Sequence, residues 1–380
     1  MECYFDNSAT TRPTEKSVEA MINAVTDNYG NPSSLHEIGD RANRLLEESR
    51  KTVADFMRCK PGEVYFTASG TESNNMALFG AAMAMRGKGR KIVSTDLEHP
   101  SVTEPLNQLE QQGFQVVRLS ADPETGSISE KALFDAIDEN TVLVSMMLVN
   151  NETGSIQPVS SIRKAIRRKK SPALIHCDAV QAFGKIPVGL KELGVDLISV
   201  SSHKVHGPKG CGVLCVKDGV RIKPLILGGG QEQGLRSGTQ AVPAIAGFAA
   251  AVKELDSIDE NLKYVSELRN RFVNGLKNSS KSDAFYFNSK DEALPYIVNL
   301  SVKGVPSEVM RNQLSEHNIY VSTGSACSKG HRSPVLTSLN LPSEIIDSAL
   351  RFSFSRFNTE EEIDYAVRCL EESVDRFSNI

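Results

Sequence analysis

Lys204 follows an apolar run in Ser199-Val200-Ser201-Ser202-His203-Lys204, and Val205-His206-Gly207-Pro208-Lys209-Gly210 comes after it. A lysine held at the carboxyl end of a strand, partly desolvated, has a lowered amine pKa and can form a Schiff base. Ser201 and His203 can serve a phosphate, and the glycines allow close backbone approach. Taken alone, such a Ser-His-Lys string is more often a surface loop with a solvated lysine. His176-Cys177-Asp178-Ala179-Val180-Gln181 places a carboxylate just after another apolar run. Asp178 would then share the carboxyl-end plane with Lys204. That pairing suits an aldehyde cofactor whose ring nitrogen needs an acidic partner, as pyridoxal phosphate does. The alternative for Asp178 is a helix cap. In Thr67-Ala68-Ser69-Gly70-Thr71-Glu72-Ser73-Asn74-Asn75, Gly70 permits a tight turn and Thr71 can donate from backbone and hydroxyl. The unpaired N–H groups and positive dipole end of a helix N-terminus suit a phosphate. An ordinary N-cap turn would look the same.

These strings need elements to bring them together. Val64–Thr67, Ile92–Thr95, Gln115–Leu119, Val142–Val149, Ala173–Cys177, Asp196–Val200 and Gly212–Val216 read as strands. Helical patterns separate them over Ser73–Met85, Ser101–Gln112, Glu130–Asp138 and Ser160–Lys169. Continuous apolar strands alternating with helices predict an α/β fold with a mainly parallel, seven-stranded sheet covered on both faces. Ligands bind outside the carboxyl ends of such strands. The texture changes after the alanine-rich helix Val242–Leu255, and a boundary is expected near Asp256. Beyond it come the amphipathic Asn261–Leu276, a strand Tyr296–Val302, a helix Val309–Glu316 and a strand Leu350–Phe354. A closing helix Glu360–Phe377 starts at a capping box of Thr359 and Glu362. The expectation is a large domain over 15–255 and a smaller α+β domain made of 1–14 with 256–380.

Composition narrows the function classes. The 380 residues carry 43 Lys plus Arg against 47 Asp plus Glu, a formal charge of −4. That balance offers no strong field for nucleic acid or an anionic membrane. No apolar stretch approaches the roughly 18 residues that span a bilayer. The N-terminus lacks the pattern of a secretory signal. Seven cysteines without framework spacing, and no C-x-x-C pair, argue against a disulfide scaffold or a zinc site and favour a reducing cytoplasm. No metal is expected.

Further strings complete the reading: Tyr4-Phe5-Asp6-Asn7-Ser8-Ala9-Thr10-Thr11, Tyr29-Gly30-Asn31-Pro32-Ser33-Ser34, Glu98-His99, Val149-Asn150-Asn151-Glu152-Thr153-Gly154, Arg236-Ser237-Gly238-Thr239, Gly324-Ser325-Ala326-Cys327 and Arg351-Phe352-Ser353. Together, in this order and over essentially the whole length, they resemble the cysteine desulfurases, pyridoxal-phosphate enzymes of fold type I in the aminotransferase class V superfamily. The resemblance implies Lys204 as the Schiff-base lysine, Asp178 on the pyridinium nitrogen, Gln181 on the ring oxygen and His99 stacked on the ring. It implies Gly70, Thr71, Ser201 and His203 around the phosphate, with Thr239 supplied by a second subunit and hence a homodimer. Asn151 would orient cofactor and substrate, and Arg351 would fork onto the substrate carboxylate, with Asn31 a weaker candidate for that task. Arg236 reads equally as a structural pair member.

The same resemblance implies conversion of L-cysteine to L-alanine, with the sulfur carried as a persulfide on Cys327. It passes on to an acceptor protein, a cluster scaffold or a tRNA-thiolation enzyme, without direct contact to nucleic acid or membrane. Cys327 lies in a small, polar, basic stretch, and Lys329, His331 and Arg332 would favour its thiolate. The other six cysteines read as buried small hydrophobes. Ser333–Leu339 looks about two residues shorter than in commoner relatives of this family, which leaves the acceptor open. The rivals are a selenocysteine lyase, an aminotransferase or a kynureninase of the same superfamily, and a non-catalytic assembly platform.

Overall fold

The computed structural model describes residues 1–255, 257–323 and 332–377. A two-residue strand, β1 (Cys3–Tyr4), precedes seven that form one sheet: β2 (Val64–Thr67), β3 (Lys91–Thr95), β4 (Gln115–Leu119), β5 (Thr141–Met147), β6 (Leu174–Asp178), β7 (Leu197–Ser201) and β8 (Gly212–Val216). Their order is β2-β8-β7-β6-β5-β3-β4. All neighbours from β7 to β4 are parallel, and β8 runs antiparallel to both β7 and β2. Every residue of β5, β7 and β8 is buried. Burial on both faces is why these strands are continuous apolar runs rather than alternating ones.

The expected alternation of strand and helix holds, with most boundaries shifted by one to three residues. The helix expected from Ser73 starts at Gly70, because Ser69 is its N-cap and its hydroxyl accepts from the Glu72 N–H. The closing helix Glu360–Phe377 is capped reciprocally. Thr359 N–H donates to Glu362 at 3.0 Å and Glu362 N–H donates to Thr359 Oγ1 at 3.2 Å.

Two long helices went unread, Glu15–Thr26 and Glu37–Phe56, as did the short Leu190–Leu193, Pro334–Ser338 and Ser343–Asp347. The first turns Val18, Ile22 and Val25 outward and buries Ser17 and Ala24, so its polarity is inverted relative to the core. Ala24 packs with Val242 and Ala246 of the helix Val242–Lys253.

The C-terminal part holds β9 (Phe285–Phe287), β10 (Ile297–Val302), β11 (Ile319–Tyr320), β12 (Ser322–Thr323) and β13 (Ala349–Ser353). Four of them form an antiparallel sheet, β12-β13-β10-β9, and β11 pairs in parallel with β1. Phe5 is fully buried against Phe352 and Phe354, with Phe272 closing the aromatic cluster. This cluster anchors the N-terminal strand, and the turn after Phe5 runs on to the carbonyls of Ser8 and Ala9 beside Lys204.

Candidate active site

β6 and β7 are neighbours, and each ends in a residue singled out by the sequence. Asp178 closes β6 and is buried. One oxygen accepts the Val180 N–H at 3.0 Å, so the turn after β6 is capped by the carboxylate as well. The other accepts from Asn74 Nδ2 at 2.7 Å. Lys204 stands in the 3-10 turn after β7, where its Nζ donates to the carbonyls of Ser8 at 2.6 Å and Ala9 at 2.8 Å. Gln181 Nε2 donates to the same Ser8 carbonyl at 3.0 Å, which draws Gln181 and Lys204 together.

His99 caps the helix Pro100–Gln111. Its Nδ1 accepts the Ser101 N–H at 3.1 Å and lies 2.8 Å from Ser101 Oγ, which itself accepts from Asn74 Nδ2 at 2.8 Å. A backbone N–H only donates, so Nδ1 is bare and the ring proton sits on Nε2. Asn74 therefore links Asp178 to His99. Burial pushes the His99 pKa down, the Asp178 charge opposes that shift, and Lys204 adds to it. At neutral pH the imidazole is uncharged.

At the phosphate end, Gly70 and Thr71 open the helix Gly70–Met85 and leave its first N–H groups free for a ligand. Ser201, the last residue of β7, has a buried hydroxyl with no partner among the described residues. A Cβ on Gly70 would stand 2.9 Å from Val180 and 3.4 Å from Ser201, so only glycine leaves this approach open. His203 meets Thr10 Oγ1 at 3.2 Å, and burial with the nearby Lys204 pushes its pKa down to about 4. An orphaned hydroxyl, a helix N-terminus and a neutral imidazole form a donor set for a phosphate. An amine and a buried carboxylate stand beyond it. The residues present fit pyridoxal phosphate.

Arg351 lies on β13, nearly buried. Its guanidinium donates to the Asn151 carbonyl and to Asp6 Oδ1, each at 2.9 Å, while its Nε is buried without a partner among the described residues. Asn31 is exposed and accepts the Ser33 N–H at 3.0 Å within its own turn. Thr239 is exposed, on a loop pinned to the body by two pairs. Arg236 binds Glu72 at 2.7 Å, in keeping with its reading as a structural pair member. Glu232 binds Arg50 through two 2.8 Å contacts and accepts the Phe66 N–H.

Cys327, with Lys329 and His331, lies outside the described residues. Arg332 is described, and it forms a two-point pair with Asp347 at 2.7 and 2.8 Å. Cys59 is half-buried rather than buried, whereas Cys3, Cys177, Cys211, Cys215 and Cys369 are in the core as expected. Sequence reasoning missed the Ser8 and Ala9 carbonyls, Asn74 and Ser101. Backbone acceptors carry no residue-type signal. Asn74 stood inside a quoted string without a role, and its place one helical turn beyond Gly70 was the available clue.

The family model for aminotransferase class V matches residues 3–366. A cysteine desulfurase of the IscS type from Methanosarcina thermophila is 40% identical, over 99% of this chain and 93% of the relative. A solved NifS-like protein superposes with a TM-score of 0.92 at 39% identity, over 99% of this chain and 100% of the other. A structure described as SspA in complex with cysteine gives 0.82 at 31% identity, over 94% and 100%.

Proposed function

The chain belongs to the aminotransferase class V family, and we infer that it is a pyridoxal-phosphate-dependent cysteine desulfurase, an enzyme that converts L-cysteine to L-alanine and retains the sulfur. The observation that carries this reading is the placement of Lys204 and Asp178 at the carboxyl ends of neighbouring strands, beside the helix N-terminus at Gly70 and the unpartnered Ser201 hydroxyl. When bound, pyridoxal phosphate supplies an aldehyde that condenses with amines and a ring that accepts electron density from Cα.

Each residue then has a task. Gly70, Thr71, Ser201 and His203 hold the phosphate, and Thr239 of a second subunit joins them. Asp178 would keep a proton on the ring nitrogen, and Asn74 and the Val180 N–H fix its carboxylate. Gln181 would donate to the ring oxygen. His99 would pack on the ring as an uncharged imidazole with its proton on Nε2. Arg351 offers its unpartnered Nε, and the N–H groups now on Asp6 and Asn151, to the cysteine carboxylate. Asn151 orients the pair, with Asn31 at the margin. Lys204 removes the Cα proton. Cys327 attacks the substrate sulfur as a thiolate, the Cβ–S bond breaks, and the sulfur stays on Cys327 as a persulfide while Cβ and Cα each take up a proton to give alanine.

A homodimer is supported by an uncovered apolar stripe. Val18, Ile22, Val25 and Tyr29 are 42 to 66% exposed along and just beyond the helix Glu15–Thr26, and Leu35 is fully exposed. Among the described residues no helix is long and apolar enough to cross a membrane. A cytoplasmic setting and an acceptor protein for cluster assembly or tRNA thiolation complete the reading. The direct test is protein loaded with pyridoxal phosphate and given L-cysteine. With a reducing thiol present to release the persulfide sulfur, alanine and sulfide in equal amounts are expected, and alanine formation is lost in Lys204→Ala. Alanine formed at wild-type rate by that variant would overturn the assignment.

A further inference from the structure

Lys185 is buried in the turn after β6, where no sequence motif gave it a role. Its Nζ donates to Gln181 Oε1 at 3.1 Å and lies 5.6 Å from the centroid of the Tyr296 ring. The charged groups acting on it are Lys204 and Arg351, and His206 and Arg356 line the same small cavity. None of these is acidic. Burial, reinforced by Lys204 and Arg351, pushes its pKa down to about 7. A long amine buried among cations is costly to keep, and departures of this kind concentrate at functional sites.

The hydrogen bonds say what Lys185 is for. The Ser8 carbonyl only accepts, so the group that Gln181 turns toward it must be Nε2. Lys185 occupies the other end of the amide. We propose that Lys185 is a positioning residue of the active site, one that takes up the Gln181 carbonyl and thereby holds the amide N–H groups toward Ser8 and the cofactor's ring oxygen. This rests on the desulfurase reading for the identity of the cofactor. Without Lys185, Gln181 Oε1 would be a buried acceptor lacking a donor. Lys204 Nζ, which binds the same Ser8 carbonyl, is a donor beside the amide. The amide would turn toward it, present oxygen where it had presented N–H, and engage the catalytic amine.

The test compares wild type, Lys185→Met and Lys185→Gln, each loaded with pyridoxal phosphate. The pH midpoint of the visible band is read together with kcat and KM for cysteine. Loss of the N–H donor makes the ring oxygen hold its shared proton more tightly. In Lys185→Met the midpoint should rise by on the order of one pH unit. The kcat should fall while KM stays put, because Lys185 does not touch the carboxylate anchor. Lys185→Gln keeps a side-chain N–H for the Gln181 carbonyl and should restore most of the wild-type midpoint. A wild-type midpoint in Lys185→Met, or a Lys185→Gln midpoint equal to that of Lys185→Met, would overturn the proposal. Should Lys185→Met fail to fold, Gln181→Leu must raise the midpoint in its place, and an unshifted band there overturns it too. A yellow wild type with unmoved variants defeats this inference alone. A wild type that takes up no chromophore defeats the desulfurase reading and this inference with it.

Discussion

Ser8 carries the site at the scale of single residues: one carbonyl oxygen receives both the Lys204 amine and the Gln181 amide. Asp178 is similarly shared between Asn74 and the Val180 N–H. Replacing it with asparagine leaves one acceptor oxygen for these two donors and removes the charge that would hold a proton on the ring nitrogen. Asp178→Asn should fold normally and lose on the order of several kcal/mol of transition-state stabilisation. Steady-state alanine formation checks this, and unchanged turnover would leave Asp178 as a cap only. Arg351→Gln should act on binding instead. A charge-assisted hydrogen bond contributes about 1.5–3 kcal/mol, so KM for cysteine should rise about ten- to hundredfold with a smaller change in kcat. A KM left at the wild-type value would place the substrate carboxylate elsewhere.

At the scale of elements, three parallel strands are tied by one buried histidine. His176 on β6 meets Ser145 of β5 at 2.8 Å and Ser199 of β7 at 3.0 Å. Burial pushes its pKa down to about 3 from an ordinary 6.5. The unfolded chain therefore binds a proton that the folded chain refuses. The stability this group contributes is complete above pH 6.5 and is lost as pH falls from there toward 3. His176→Gln should flatten that acid limb in thermal melts followed against pH, and an equally steep limb in the variant would remove His176 as its cause. The Arg50–Glu232 pair works at the same scale, joining the helix Glu37–Phe56 to the loop that bears Thr239. Arg50→Met strands a buried carboxylate and should cost about 3–5 kcal/mol in chemical denaturation. A loss below about 1 kcal/mol would mean that the pair is exposed in solution.

At the scale of the whole molecule, the sheet was legible because buried parallel strands leave long apolar runs, and Lys204 and Asp178 because they stand where those runs end. The helix Glu15–Thr26 was not legible, since its apolar residues face outward and its buried face is Ser17 and Ala24. In the proposed homodimer the same inversion would give the surface for a second copy. Ile22→Glu should shift the protein toward monomer in sedimentation and weaken cofactor retention, because Thr239 of the partner would be withdrawn. A dimer that persists would move the interface elsewhere. Asn74, Ser101 and Lys185 escaped notice because each acts through another residue, and such links exist only in three dimensions. The central claim concerns sulfur. Wild-type protein loaded with pyridoxal phosphate is given one pulse of L-cysteine without reductant, and its peptides are weighed. The account predicts alanine, and about 32 Da, one sulfur atom, added to the peptide containing Cys327, as befits a thiolate acting as covalent nucleophile. Sulfide released with no mass added there, or sulfur found on Cys59 instead, would contradict it.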